Sequence, residues 1–293
     1  MHKYRLLTFV LASLLSIVAC DIIEPPYLEN QTQLPSDQQC IEDAAALEPF
    51  PSGQPIARKV FLEEITGHTC GNCPEESEKA FDFYTNQYPG QMVLMYVHAG
   101  FYAKTETGDK FTTDFTSEDS EEIDAYFNGI GYPFGMVDRI LSNPGNAELW
   151  GNYVNQRLQM PAEAGIRIFN CYDPDSAKLT TVVDVKYVAD ATDQEYLTVY
   201  LVEDKVKDWQ KDYRYSPPDI PDYTHHNVFR AAINGLWGKP LTTETVQDGD
   251  QFTFSASYDI PAEYAVENCK VVAFVSRFDT KEVRQVEEAP IIQ

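Results

Sequence analysis

Positive charge is scarce in this chain. Its 22 Lys and Arg stand against 46 Asp and Glu, giving a formal net charge of −24 over 293 residues. A surface this acidic repels phosphate backbones and anionic headgroups, which argues against a nucleic-acid partner and leaves membrane attachment to covalent or hydrophobic means. Glycine is also sparse, at 15 residues, which excludes fibrous and glycine-rich low-complexity classes. A second C-x-x-C is missing, and with it the spacing of a structural zinc site. His68 and His98 leave only a mixed site to consider, and neither a metal nor any other cofactor is expected. What is present is a globular composition, 43% apolar and 13% aromatic, able to bury a core. The length suggests about two domains of ~100–150 residues.

The N-terminus carries His2, Lys3 and Arg5, then an apolar run over residues 6–18, then Ala19 and Cys20. This reads as a signal peptide, residues 1–19, too short to span as a mature helix. Its end, Ile17-Val18-Ala19-Cys20, resembles a bacterial lipobox, in which the cysteine becomes the acylated N-terminus of the mature protein. An ordinary secretory signal would leave that register unexplained. Acyl chains at roughly 0.8 kcal/mol per buried methylene would hold the protein in a bilayer despite its charge. Cleavage removes Lys3 and Arg5 and no acid, leaving the mature chain two charges more negative. Residues 20–57 lack Lys and Arg and contain Pro25, Pro26, Pro35, Pro49, Pro51 and Pro55. They read as an acidic tether, with a possible short docked helix over 40–47.

Residues 60–65 read as a strand, followed by Cys70-Gly71-Asn72-Cys73-Pro74, a helix with Ala80, Phe81 and Tyr84 on one face, and an apolar strand over 92–97. In that context the C-x-x-C reads as thioredoxin-like redox chemistry, with a domain over residues 58–161. A cysteine at a helix N-terminus meets unsatisfied N–H groups and the positive end of the dipole, which lowers its pKa. Cys70 is the candidate nucleophile. Cys73, expected one turn inside the helix, is the resolving thiol. Glu64 stands six residues before Cys70, where the thioredoxin pattern has a carboxylate that assists proton transfer. Glu63 points to the opposite strand face, so one of the two is expected to be less buried, with Glu64 the inward one. The segment 129–135 resembles the cis-proline loop that faces such a pair, with Pro133 as its proline and Tyr132 offering backbone groups to a substrate chain. His98, at the end of a central strand, is a further candidate for contact with substrate.

From residue 162 onward, β-branched and aromatic runs over 165–171, 179–188, 196–202, 251–258 and 270–278 suggest an immunoglobulin-like sandwich extending to residue 293. The segment 203–241 interrupts it with aromatics, prolines and adjacent His225 and His226. On a strand those two histidines face opposite sides, so the segment reads as an aromatic loop packing between domains or on a partner. Cys40, Cys171 and Cys269 are an odd set beside Cys20, Cys70 and Cys73. A Cys171–Cys269 bridge contributes up to ~4–5 kcal/mol in the chain-entropy model, and Cys40 pairing with either is equally allowed.

Taken in order, LEEITGHTCGNCP, YVHAGF, GYPFGMVDR and HHNVFRAAINGLWG, behind a lipobox, resemble the outer-membrane lipoprotein family of Bacteroidota named after a twenty-eight-kilodalton outer membrane protein. The resemblance implies an outer-membrane location and a thioredoxin-like domain. The fold class expected is therefore an α/β thioredoxin-like domain followed by an all-β immunoglobulin-like sandwich. The function expected is thiol–disulfide exchange with thiols or disulfides of envelope proteins, from an outer membrane reached through lipidated Cys20. The alternative is a non-enzymatic surface binding or assembly protein with the same fold as scaffold.

Overall fold

Strand formation in the middle of this chain follows its continuous apolar runs, which are buried on both faces. The computed structural model describes residues 36–50, 55–127 and 129–292. The expected signal peptide, Cys20, and residues 20–35 and 51–54 of the expected tether lie outside them. The elements in order are α1 (Ser36–Ala45), β1 (Val60–Thr66), α2 (Cys73–Asp82), β2 (Met92–His98), α3 (Glu118–Phe127), β3 (Phe134–Val137), β4 (Leu141–Pro144) and α4 (Ala147–Leu158). Then come β5 (Ala164–Asp173), β6 (Lys178–Tyr187), β7 (Glu195–Glu203), β8 (Val206–Lys211), β9 (Asp219–His225), β10 (Val228–Ala232), β11 (Lys239–Pro240), β12 (Gln251–Asp259), β13 (Cys269–Arg277) and β14 (Val283–Pro290).

A nine-stranded mixed sheet runs β14-β13-β7-β10-β2-β1-β3-β4, with β11 also on β7. A three-stranded sheet, β12-β6-β5, and the hairpin β8-β9 complete the strands. This corrects the expected fold class. An α/β thioredoxin-like domain followed by a separate immunoglobulin-like sandwich would divide the strands between two sheet systems, whereas the large sheet takes β1–β4 from one stretch and β7, β10, β13 and β14 from the other. The physical reason lies at the edge of β2. Its backbone would be an open strand edge, and β10 fills it in parallel, with Val228 opposite Tyr96 and the Tyr96 N–H donating to the Asn227 carbonyl at 2.9 Å. The segment expected to be an aromatic loop supplies that strand.

Burial confirms the continuity. One core brings Phe61, Ile65, Val93 and Met95 together with Tyr200, Val202, Val272 and Phe274. The other face of β1 and β2 packs Leu62 and Leu94 against Ala80 of α2 and Trp150 of α4. The other face of β7 and β13 packs against β5 and β6. The large sheet also curls, so that Val283 N donates to Asp138 O at 3.1 Å and Lys59 N to Gln285 Oε1 at 2.8 Å. Cys40 of α1 is bridged to Cys171 of β5, and Cys269 is a buried free thiol. Of the pairings the sequence left open, Cys40–Cys171 is the one formed. Burial, with the nearby Glu203 charge, pushes the Cys269 thiol up to about 12. Among the described residues no helix is long and apolar enough to cross a membrane.

Candidate functional site

The C-terminal ends of the parallel strands β1 and β2 and the start of antiparallel β3 lie at one end of the large sheet. The chain leaves β1 at Thr66 and turns through Gly67, where the Cys70 N–H donates to the Gly67 carbonyl at 3.0 Å. It enters α2 at Cys73, with Pro74 in the first turn, where a missing N–H costs nothing. Cys73 is thus the first residue of the helix rather than one turn inside it, and Cys70 lies just ahead. The two form a disulfide. Both are buried, Cys70 at 3% exposure and Cys73 at 2%.

Glu64 and Glu63 are both fully buried, so the expectation that one would be less buried fails. The reason is that β1 is a central strand covered on both faces. Glu64 lies on the α2 side, where the Ser77 hydroxyl donates to its Oε1 at 2.5 Å. The same hydroxyl lies 3.0 Å from the carbonyl of Cys73, so one serine joins the carboxyl to the cysteine's backbone. Burial, aided by the Glu76 charge and opposed by the Ser77 bond, pushes the Glu64 carboxyl up to about 8. Glu63, on the other face, is held by Arg139 through two bonds of 2.7 Å.

Pro133 follows a cis peptide bond from Tyr132. It enters β3, whose Phe134 is opposite Ile65, so the loop stands at the same end of the sheet as the cysteines. The Tyr132 hydroxyl donates to Asp124 at 2.6 Å and its ring meets Tyr102 edge-on. The Tyr102 carbonyl in turn accepts from Thr69 N at 3.0 Å, tying this aromatic pair to the residue before Cys70. His98 is buried, stacked on Phe115 at 4.7 Å and edge-on to His225 at 5.2 Å. Burial holds His98 well below the usual histidine range, and His225 falls to about 3 for the same reason. Both are neutral at physiological pH.

The β8-β9 hairpin is the part that sequence reasoning missed. It lies across the disulfide as a strap. Lys211 N donates to the His68 carbonyl at 2.8 Å, Tyr213 N to the Gly71 carbonyl at 2.9 Å, and Gln210 Nε2 to the Cys70 carbonyl at 3.2 Å. Arg214 anchors its tip, donating twice to Glu78 of α2 at 2.7 Å. The Tyr213 ring comes so close to Gly71 that a Cβ there would lie 2.6 Å from it, which requires glycine between the cysteines. No alternation marks Val206–Lys211, whose apolar Val206 and Trp209 stand three apart, inside a segment read as an interruption. Of the expected residues, Cys73 and His98 line a cavity of about 230 Å³ together with the strap, Ser77 and Tyr96, whereas Cys70, Glu64, Tyr132 and Pro133 do not. Around the same end, Phe101 and Ile130 are exposed at 76% and 78%.

Comparison with known proteins agrees with a continuous fold. The family model for the outer membrane protein Omp28 matches residues 120–293. Among solved structures, HBP35 of Porphyromonas gingivalis superposes at a TM-score of 0.60 with 17% identity, over 80% of this chain and 76% of that one. A protein of Agrobacterium tumefaciens superposes at 0.52 with 12% identity, over 82% of this chain and 97% of its own. A domain of the outer membrane lipoprotein Omp28 from Porphyromonas gingivalis is 25% identical over 44% of this chain and 88% of its own, at a TM-score of 0.31. No curated protein matches the chain.

Proposed function

This chain belongs to the outer membrane protein Omp28 family, so its place is the outer membrane, and we propose that there it exchanges thiols and disulfides with envelope proteins through Cys70 and Cys73. The observation that carries this reading is the pairing of a disulfide at a helix start with a buried carboxyl, Glu64, held protonated up to about pH 8 and set beside the pair by Ser77, whose hydroxyl meets both Glu64 and the Cys73 backbone carbonyl. A bridge that only staples the chain has no use for such a proton store, whereas exchange must move one proton per thiol released. Cys70 attacks, Cys73 closes the pair and releases the partner, and Glu64 gives and takes the proton. The backbone at Tyr132-Pro133 seats the partner chain, among the exposed Phe101, Ile130 and Tyr213.

Purified protein is expected to reduce or oxidise a model protein disulfide. Cys70→Ser should abolish turnover and Cys73→Ser should accumulate mixed disulfides on gels run without reductant. Turnover no higher than that of the double variant would end this reading. The depth of the pair under the strap favours a second reading, a structural disulfide in a binding or assembly protein. A reduction potential below about −300 mV would support it, and a higher one supports exchange.

Membrane attachment is proposed through acylated Cys20. Cys20→Ser is expected to lose incorporation of labelled fatty acid and to leave the membrane fraction. A variant that still carries label would place the anchor elsewhere.

A further inference from the structure

Each exchange with a protein leaves the Cys70–Cys73 pair in the wrong redox state for the next, so a second partner must reset it. The two sulfurs are not equally placed for that. The strap crosses Cys70 and Gly71, where Gln210 and Tyr213 bond their carbonyls. The cavity beside the site touches Cys73 and Pro74 and does not touch Cys70. Its walls are largely aromatic, formed by Phe81, Tyr96 and Tyr223 with the imidazoles of His98, His225 and His226. His226 is occupied on both sides, bonded to Asp204 at 2.8 Å and stacked on Phe81 at 3.9 Å. Among the described residues no lysine or arginine lines the cavity, and Glu78, the one carboxylate in its wall, is paired with Arg214. At about 230 Å³ it falls below the ~300–1,000 Å³ of drug-sized sites.

We propose that this cavity is the access route of a low-molecular-weight, uncharged thiol, which resets the pair by reacting at Cys73 while the strap stays closed over Cys70. The inference rests on the exchange reading above and adds the second substrate to it. The thiol enters uncharged, as RSH, and gives up its proton only as its sulfur attacks Cys73 Sγ. The Cys70–Cys73 bond breaks and Cys70 leaves as thiolate, the better leaving group because it faces the helix start. A second RSH, losing its proton in the same way, attacks the small-molecule sulfur of the mixed disulfide and releases RSSR and Cys73 thiolate. Two electrons pass from two thiols to the protein disulfide, and the two cysteines take up the two protons. A charged thiol would have to leave water for a largely aromatic wall with no free counter-ion, Glu78 being already paired with Arg214, which selects for an uncharged one. The strap explains why the route is needed: it excludes from Cys70 any reagent that does not first displace Tyr213 and Arg214.

The mixed disulfide is the same species approached from either direction, so single-cysteine variants of the full chain test the route. Cys70→Ser and Cys73→Ser are each treated with 2-hydroxyethyl disulfide and 4,4′-dithiodipyridine, with oxidised glutathione as the anionic comparison, and the modified residue is read by peptide mass. Cys73 is expected to react at least tenfold faster than Cys70 with the two uncharged reagents, and at least tenfold faster with them than with oxidised glutathione. Thr224→Trp, which fills the cavity, should slow Cys73 at least tenfold and leave Cys70 unchanged. Tyr223→Ala, which enlarges it, should speed Cys73, and carries the test if the tryptophan variant does not fold. Equal reactivity of the two cysteines, or indifference of Cys73 to both cavity variants, overturns the proposal while leaving exchange intact. If neither cysteine reacts even when Tyr213→Ala and Arg214→Ala release the strap, the exchange reading itself falls.

Discussion

Replacing Glu64 with glutamine is expected to make the folded protein more stable than the parent at pH 8.5 and to remove a pH dependence that the parent carries. The carboxyl is fully buried on β1, with Oε2 lacking a partner among the described residues. Burial, with the nearby Glu76 charge, raises it from an ordinary 4.5 to about 8. The sign follows from which state holds the proton. Below 4.5 both folded and unfolded chains are protonated at this site, and its contribution is fully present. Between 4.5 and about 8 the unfolded chain has released the proton while the folded chain keeps it, so stability falls by about 1.4 kcal/mol per pH unit. Over the whole window the loss is roughly 4–5 kcal/mol. Glutamine has no proton to lose. Urea unfolding of parent and Glu64→Gln at pH 5, 7 and 8.5 checks this: the parent's stability relative to the variant should decline steadily across the three. A difference that stays flat would mean that Glu64 ionises normally, and its proton-relay role would go with it. In exchange assays the variant should also lose any rate limb that titrates near pH 8.

Much of this site was legible in the sequence because its signals are local. A C-x-x-C followed by proline, between two apolar runs, fixes a strand–turn–helix–strand path over a few tens of residues. Pro133 and Tyr132 announce their own turn. The sandwich expectation failed for a different kind of reason. The runs at 196–202 and 270–278 are apolar on both faces, and a strand covered on both sides reads the same whether it belongs to a sandwich or to the middle of a long mixed sheet. Which sheet they join is decided by β10, whose five residues Val228–Ala232 close the edge of β2 from more than a hundred residues away. No periodicity records such a pairing. The strap was hidden likewise, because its hydrogen bonds to His68, Gly71 and Cys70 are made by backbone groups and by one glutamine, none of which has a motif. The adjacent acids misled in turn: alternation assigns Glu63 and Glu64 to opposite faces correctly, but says nothing about whether both faces are covered.

Glu63→Ala is expected to cost about 3–5 kcal/mol, because it strands a charge rather than because it removes a bond. Arg139 and Glu63 have side chains 1% and 0% exposed, and they meet through two bonds of 2.7 Å. Around them, Arg139 Nη2 donates to the Tyr200 hydroxyl at 3.2 Å, and that hydroxyl donates to the Leu236 carbonyl at 2.6 Å. The Phe274 ring lies 4.7 Å from the guanidinium carbon. The guanidinium cannot shed its proton at any ordinary pH, so without Glu63 it stays charged in an apolar core. Replacing both partners with apolar residues of similar volume, Glu63→Met with Arg139→Leu, removes the buried charge altogether. The double variant is therefore expected to recover most of the loss, with stability close to the parent in urea unfolding and a large favourable coupling between the sites. Recovery would mean that the pair adds little net stability, and that its effect is to make only one placement of β1 tolerable, the one that brings Glu63 to Arg139 and so sends Glu64 to the α2 face beside the cysteines. A double variant as unstable as Glu63→Ala would instead locate the loss in packing around Tyr200 and Phe274, and the ion pair would have no part in orienting the strand.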